Sequence, residues 1–142
     1  MSIDVAAIRA RLYKSDTRLP QVAYNARDTA NVLEVPEHRV WLLLRGGELS
    51  ARNTGHRYLV SGTIILKIKP DAAVNDPHKV INADTAYYLS DLEALFGVTK
   101  GTAQRLGQRI KPDRHMGTRP LFYGSTILKF LDGADKPMSS TA

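Results

Sequence analysis

The chain has 142 residues, with 20 Lys and Arg against 14 Asp and Glu, a net charge of +6 and no cysteine. Such a length holds two compact units but not two large domains, and without cysteine neither a disulfide framework nor a thiolate zinc site can form. No apolar stretch approaches the roughly 20 residues that cross a bilayer, and no signal-peptide core stands at the N-terminus. A cytoplasmic protein with no membrane contact is the expectation.

In residues 1–23, Ile3, Val5, Ile8 and Leu12 alternate with Arg9 and Arg11, which predicts an amphipathic helix or arm over 3–13. Asn25 is a helix cap, because its side-chain oxygen can accept a free N–H of the first turn. Ala26, Ala30 and Leu33 follow at helical spacing. Glu34-Val35-Pro36 interrupts the run, and Pro36 suits the start of a second helix. That helix carries Val40-Trp41-Leu42-Leu43-Leu44 and stops at Gly46-Gly47; Trp41, among apolar neighbours, reads as core. Leu49 to Arg52, a Thr54-Gly55 turn and Arg57 to Val60 predict a β-hairpin with a basic tip. Thr63 to Ile68 fits a closing helix or a strand, because β-branched residues favour the latter.

Residues 69–86 are a linker or packed connection, with turn formers at Pro70, Asn75-Asp76-Pro77 and Asn82. The order then returns. Ser90 is a cap for a helix through Leu92 and Leu95-Phe96, Gly97 makes a turn, and Thr99 caps a helix carrying Lys100, Thr102, Gln104 and Arg105. Pro112 ends that region, Met116-Gly117 turns a hairpin that returns along Leu121-Phe122-Tyr123, and Ser125 to Leu131 closes the unit. Residues 132–142 read as a disordered tail.

The two stretches are one unit used twice. Ser61-Gly62-Thr63-Ile64-Ile65-Leu66-Lys67-Ile68 is echoed by Tyr123-Gly124-Ser125-Thr126-Ile127-Leu128-Lys129-Phe130. Gly55-His56-Arg57 is echoed by Gly117-Thr118-Arg119, and Asp28, Val35, Val40 and Leu43 by Asp91, Val98, Ala103 and Leu106. The offset is 63 residues from Asp28 to Asp91 and 62 from Gly55 to Gly117. A fixed offset over such a length marks a repeated supersecondary unit. The expected fold is therefore mainly α with small β-hairpins (α+β), as two tandem winged helix-turn-helix units at 24–68 and 87–131.

Asn25-Ala26-Arg27-Asp28-Thr29-Ala30 to Val35, then Gly47-Glu48-Leu49, then Gly55-His56-Arg57-Tyr58, resembles the excisionase and MerR-like DNA-binding domain. In that family an alanine-rich helix precedes a Gly-Val-Ser turn, a Gly-x-Leu follows the recognition helix, and a Gly-x-Arg wing comes last. The first copy departs from the pattern at Glu34, where the turn glycine is usual. The second has Ile110-Lys111-Pro112 in place of Gly-x-Leu. The resemblance implies a phage or mobile-element protein that binds double-stranded DNA. It would be a recombination directionality factor working with an integrase or recombinase, a transcriptional regulator, or both. A transcriptional repressor and a terminase small subunit are the alternatives within DNA binding. A MerR-type activator, which would add a long dimerising coiled coil and an effector domain after residue 131, is not the expectation.

Charge agrees with that expectation. Residues 87–131 hold seven Lys and Arg against three Asp and Glu, residues 24–68 hold six against four, and residues 100–119 hold six basic residues and one acid, Asp113. The candidate base-reading residues are Glu37, His38, Arg39 and Arg45 in the first unit and Lys100, Thr102, Gln104 and Arg105 in the second. Glutamine can pair with adenine and arginine with guanine in the major groove. The candidate wing residues are Arg52, His56 and Arg57, and Arg114, His115 and Arg119, which can hold phosphates or enter a narrow minor groove. Two units offer two half-sites, about 34 Å apart on one face of DNA, and different helices need no palindrome. The chain could also form a homo-oligomer on DNA and associate with the nucleoid. It has no phosphate-cradling glycine loop, His-Glu-x-x-His or nucleophile elbow, and Asp28 and Asp91 suit helix first turns. A binding protein without cofactor or metal is expected rather than an enzyme. A protein–protein adaptor is the remaining rival, whose sign would be an exposed apolar patch.

Overall fold

The structure, a computed structural model, describes residues 19–53 and 58–133. The expected helix over 3–13, the wing residues His56 and Arg57, and the tail from 134 lie outside the described residues. Asn25 does cap the first helix: its side-chain oxygen accepts the Asp28 N–H at 2.8 Å. This helix, α1 (Ala26–Leu33), ends at Glu34, and α2 (Glu37–Arg45) begins after Pro36. Three strands accompany them: β1 (Ala23–Tyr24), β2 (Arg52–Asn53) and β3 (Tyr58–Ser61). β3 lies in the middle, antiparallel to both, with Ala23 opposite Ser61 and Arg52 opposite Leu59. Ser61 then caps α3 (Gly62–Ile68), accepting the Thr63 N–H at 3.2 Å. The β-branched run is thus helical: the cap opens a helix, and its Ile65 is fully buried in the core.

The same order follows in the second half. After a short α4 (Pro77–Val80) come β4 (Ala86–Tyr87), α5 (Leu89–Phe96), α6 (Lys100–Ile110), β5 (Arg114–Met116), β6 (Arg119–Tyr123) and α7 (Gly124–Asp132). β6 lies between β4 and β5, as β3 lies between β1 and β2. The described residues therefore form a mixed α+β fold with seven helices and two three-stranded antiparallel sheets. Ser90 is not the cap of α5. The Asp91 carboxylate reaches back to accept the Tyr88 N–H at 2.8 Å, so the helix starts earlier and Ser90 stands exposed in its first turn. Thr99 caps α6 through the Thr102 N–H at 3.4 Å. The turns between paired helices match closely in shape. Glu34 adopts φ 59 and ψ 44, and Gly97, at the corresponding place, adopts φ 61 and ψ 42. A left-handed residue is easy for glycine and strained for glutamate. Lys69 supports the strained turn, with its Nζ 3.3 Å from the Glu34 carboxylate and donating to the Val32 carbonyl at 3.2 Å.

Two cores form. The first gathers Tyr24, Ala26, Ala30, Val40, Leu44, Leu49, Val60 and Ile65. The second gathers Tyr87, Leu92, Leu95, Phe96, Ala103, Leu106, Phe122, Ile127 and Phe130, together with Val22, Ala23 and Leu59 from the first half. At matching places the halves exchange volume. Leu44, Ala26 and Val60 share the first core, and at the positions 63, 63 and 62 residues on stand Gly107, Leu89 and Phe122: a Cβ on Gly107 would lie 2.9 Å from the Leu89 side chain and 3.0 Å from the Phe122 ring. Cores tolerate such trades when total volume is kept.

The connection at 69–86 is packed against both halves. The Asn75 N–H donates to the Tyr24 hydroxyl at 3.0 Å, and the Asn82 N–H donates to the Tyr87 hydroxyl at 2.9 Å. Each asparagine carbonyl also covers the first residue of a closing helix: a Cβ on Gly62 would collide with Asn75, and one on Gly124 with Asn82. The Asp76 carboxylate accepts the His78 N–H at 3.0 Å and the Thr63 hydroxyl at 2.9 Å, tying α4 to α3. Val22, counted with the N-terminal arm by the sequence reading, is fully buried and donates its N–H to the Leu95 carbonyl at 2.7 Å.

Candidate nucleic-acid interface

The second helix of each pair keeps one face in the core and turns the other outward. On α6, Ala103, Leu106, Gly107 and Ile110 are buried. Lys100, Gln104 and Arg105 are exposed, as expected. Thr102 is half-buried, and its hydroxyl accepts a hydrogen bond from the Thr99 hydroxyl at 3.2 Å, so it belongs to the start of the helix. Gln108 and Arg109 extend the exposed face by a turn. The sequence reading missed both, although Gln104 to Gln108 and Arg105 to Arg109 follow the four-residue spacing of one helix face.

The hairpin beside α6 is open to solvent. Arg114, His115 and Met116 of β5 are all exposed, as is Arg119 at the start of β6. Met116 pairs with Arg119 across a two-residue loop, Gly117-Thr118, with positive φ (63°) at Gly117 alone among the two. Glycine at the first position of a two-residue loop is the type II′ pattern, whose twist suits paired strands. The Arg119 guanidinium lies 5.6 Å from the Tyr88 ring centroid, and the Tyr88 hydroxyl donates to the Met116 sulfur at 3.5 Å. These contacts brace the loop end of the hairpin against Tyr88, which precedes α5.

Between α6 and this hairpin runs a groove of about 340 Å³. Gln104 and Gln108 line one side, His115 and Thr118 the other, and Leu89 and Phe122 lie at its floor. Asp113, the one acid in 100–119, is turned away: its carboxylate accepts the Tyr123 N–H at 2.8 Å and the Thr126 hydroxyl at 2.9 Å. The groove is therefore bordered by amide, imidazole and hydroxyl side chains, and the exposed Arg105, Arg109, Arg114 and Arg119 stand on the same helix and hairpin. Basic groups of this kind hold phosphates, and amides read base edges.

The first unit is arranged differently. Glu37, His38, Arg39 and Arg45 are exposed on α2, with Val40 and Leu44 buried opposite. Trp41 is half-buried, edge-on to the Tyr58 ring at 6.0 Å between centroids. Leu42 is 51% exposed. Arg52 does not project from the hairpin: it is half-buried, with its guanidinium 4.2 Å from the Phe130 ring centroid of the other half. That stacking satisfies a cation with a ring face and joins the two halves.

Among the described residues no group of three or more His, Cys, Asp or Glu is placed to hold a metal ion. No helix among them is long and apolar enough to cross a membrane. Comparison of the chain with protein-family models, with curated proteins and with solved structures finds no match.

Proposed function

We propose that the protein binds double-stranded DNA through two tandem winged helix-turn-helix units, in which α2 and α6 are the recognition helices and the β2–β3 and β5–β6 hairpins are the wings. One observation carries the reading: the outward face of α6 and the exposed β5–β6 hairpin border a single groove, and the lone acid of that stretch is held away from it. In this reading α6 enters the major groove, where Gln104, Arg105 and Gln108 face base edges. Lys100, Arg109, Arg114 and Arg119 hold the flanking phosphates. The excisionase-like role in a phage or mobile element, with transcriptional control as its companion, follows from the resemblance of residues 25–58. An integrase or recombinase would then be the protein partner.

The test is an electrophoretic shift series with random and selected duplexes across salt. Every phosphate that the protein ceases to neutralise makes the plot of log K against log salt shallower by about 0.9. Arg114→Ala with Arg119→Ala should therefore weaken binding to every sequence and lower the slope by about 1.8. Gln104→Ala should instead relax preference at one base pair, by about 1–3 kcal/mol. An unchanged slope in the double variant would remove the wing from the interface.

A further inference from the structure

Leu42 stands at the centre of the outward face of α2. His38 lies one turn before it, Arg45 one turn after, and Arg39 beside it, all exposed. The buried side chains Val40 and Leu44 lie on the opposite face. A leucine 51% exposed at such a place is apolar surface flanked by two arginines and a histidine. Its counterpart, 63 residues on, is the exposed Arg105 of α6. An apolar partner alone would leave Arg39 and Arg45 unanswered. A duplex answers both, because its phosphates are anionic while each thymine presents a C5-methyl group in the major groove.

Resting on the DNA-binding reading, we infer that Leu42 reads a thymine methyl in the half-site of the first unit, at the position where Arg105 reads guanine in the half-site of the second. The two half-sites then differ at equivalent base pairs, and the site has a direction. Thymine recognition by leucine uses no hydrogen bond, so it depends on the methyl carbon itself.

The experiment uses the full chain and sites selected from a random duplex pool. Each thymine is replaced in turn by deoxyuridine, which removes the methyl and keeps the base pair. One replacement, in one half-site only, should weaken binding about fourfold, the worth of one buried methyl group. Leu42→Ala should make the protein indifferent to that replacement, and Leu42→Gln should move the preference there towards adenine. Both substitutions are at the surface, and retained thermal unfolding checks the fold. The inference is overturned if salt-dependent binding persists and no thymine shows methyl sensitivity, or if Leu42→Ala keeps the sensitivity. It is equally overturned if Leu42→Ala leaves DNA selection intact and alters self-association, which would make the face a protein contact. Loss of all duplex binding by the unaltered chain would instead remove the DNA-binding reading, and this inference with it.

Discussion

The two halves share an element order and a sheet order, yet their second helices differ in what they show to solvent. α2 spans nine residues, starts after Pro36 without a side-chain cap, carries Glu37 in its first turn and exposes Leu42. α6 spans eleven, is capped by Thr99, has no acid in its first turn and exposes glutamines and arginines. A helix N-terminus is partly positive, so Glu37 quenches an anion site there and Lys100 reinforces one. Inside, the difference has another character. Leu44, Ala26 and Val60 of one core correspond to Gly107, Leu89 and Phe122 of the other, where the larger Leu89 and Phe122 fill the space beside the glycine. Inner faces are bound to one another by volume; outer faces answer only to what they touch.

The comparison can be broken first at the closing helices. Gly62→Ala and Gly124→Ala each drive a methyl into an asparagine carbonyl of the connection. Each should lower stability by about 3 kcal/mol in denaturant unfolding. A harmless result in one half alone would show that the two joints are not equivalent. Next in size is the volume trade. Gly107→Leu should cost about 2 kcal/mol, and adding Leu89→Ala and Phe122→Val should recover most of it; strictly additive losses would mean that the three positions are not coupled. The smallest effect lies at the matched turns. Gly97→Ala should cost about 1.5 kcal/mol, since φ is positive and the Gln21 side chain crowds the added methyl. Glu34→Gly should gain about 0.5 kcal/mol, because relief of the left-handed strain outweighs an exposed ion pair to Lys69 and the entropy of glycine. A loss on Glu34→Gly would assign the turn's stability to Lys69 instead.

Much of the α-helical plan was legible in the sequence. Asn25 and Thr99 announced their helices because capping is a local matter between a side chain and an N–H three residues on. The repeat itself placed the turns at Glu34 and Gly97. What escaped was non-local. β1 and β4 are two residues long, too short to alternate, and exist only because a partner strand lies beside them. The helical state of Thr63 to Ile68 went against β-branched preference and was decided by the Ser61 cap and the burial of Ile65. The connection's grip on both halves runs in part through main-chain atoms of Asn75 and Asn82, which leave no mark in residue type, and in part through side chains whose partners lie far along the chain, such as Asp76 with Thr63 and His78 with Asp132. At the candidate site, Arg105 and Arg119 were visible as charge. Arg52 was equally visible as charge, but its ring partner, Phe130, lies far along the chain.

Val22, Ala23 and Leu59 are built into a core whose other members come from the connection, at Ile81, and from the second half. A ribosome makes the chain from the N-terminus at roughly 5–20 residues per second, so these three side chains emerge seconds before Phe122, Ile127 and Phe130 exist to cover them. During that interval the nascent first half displays an uncovered oily face, and a chaperone that binds such faces has its opportunity until α7 leaves the exit tunnel.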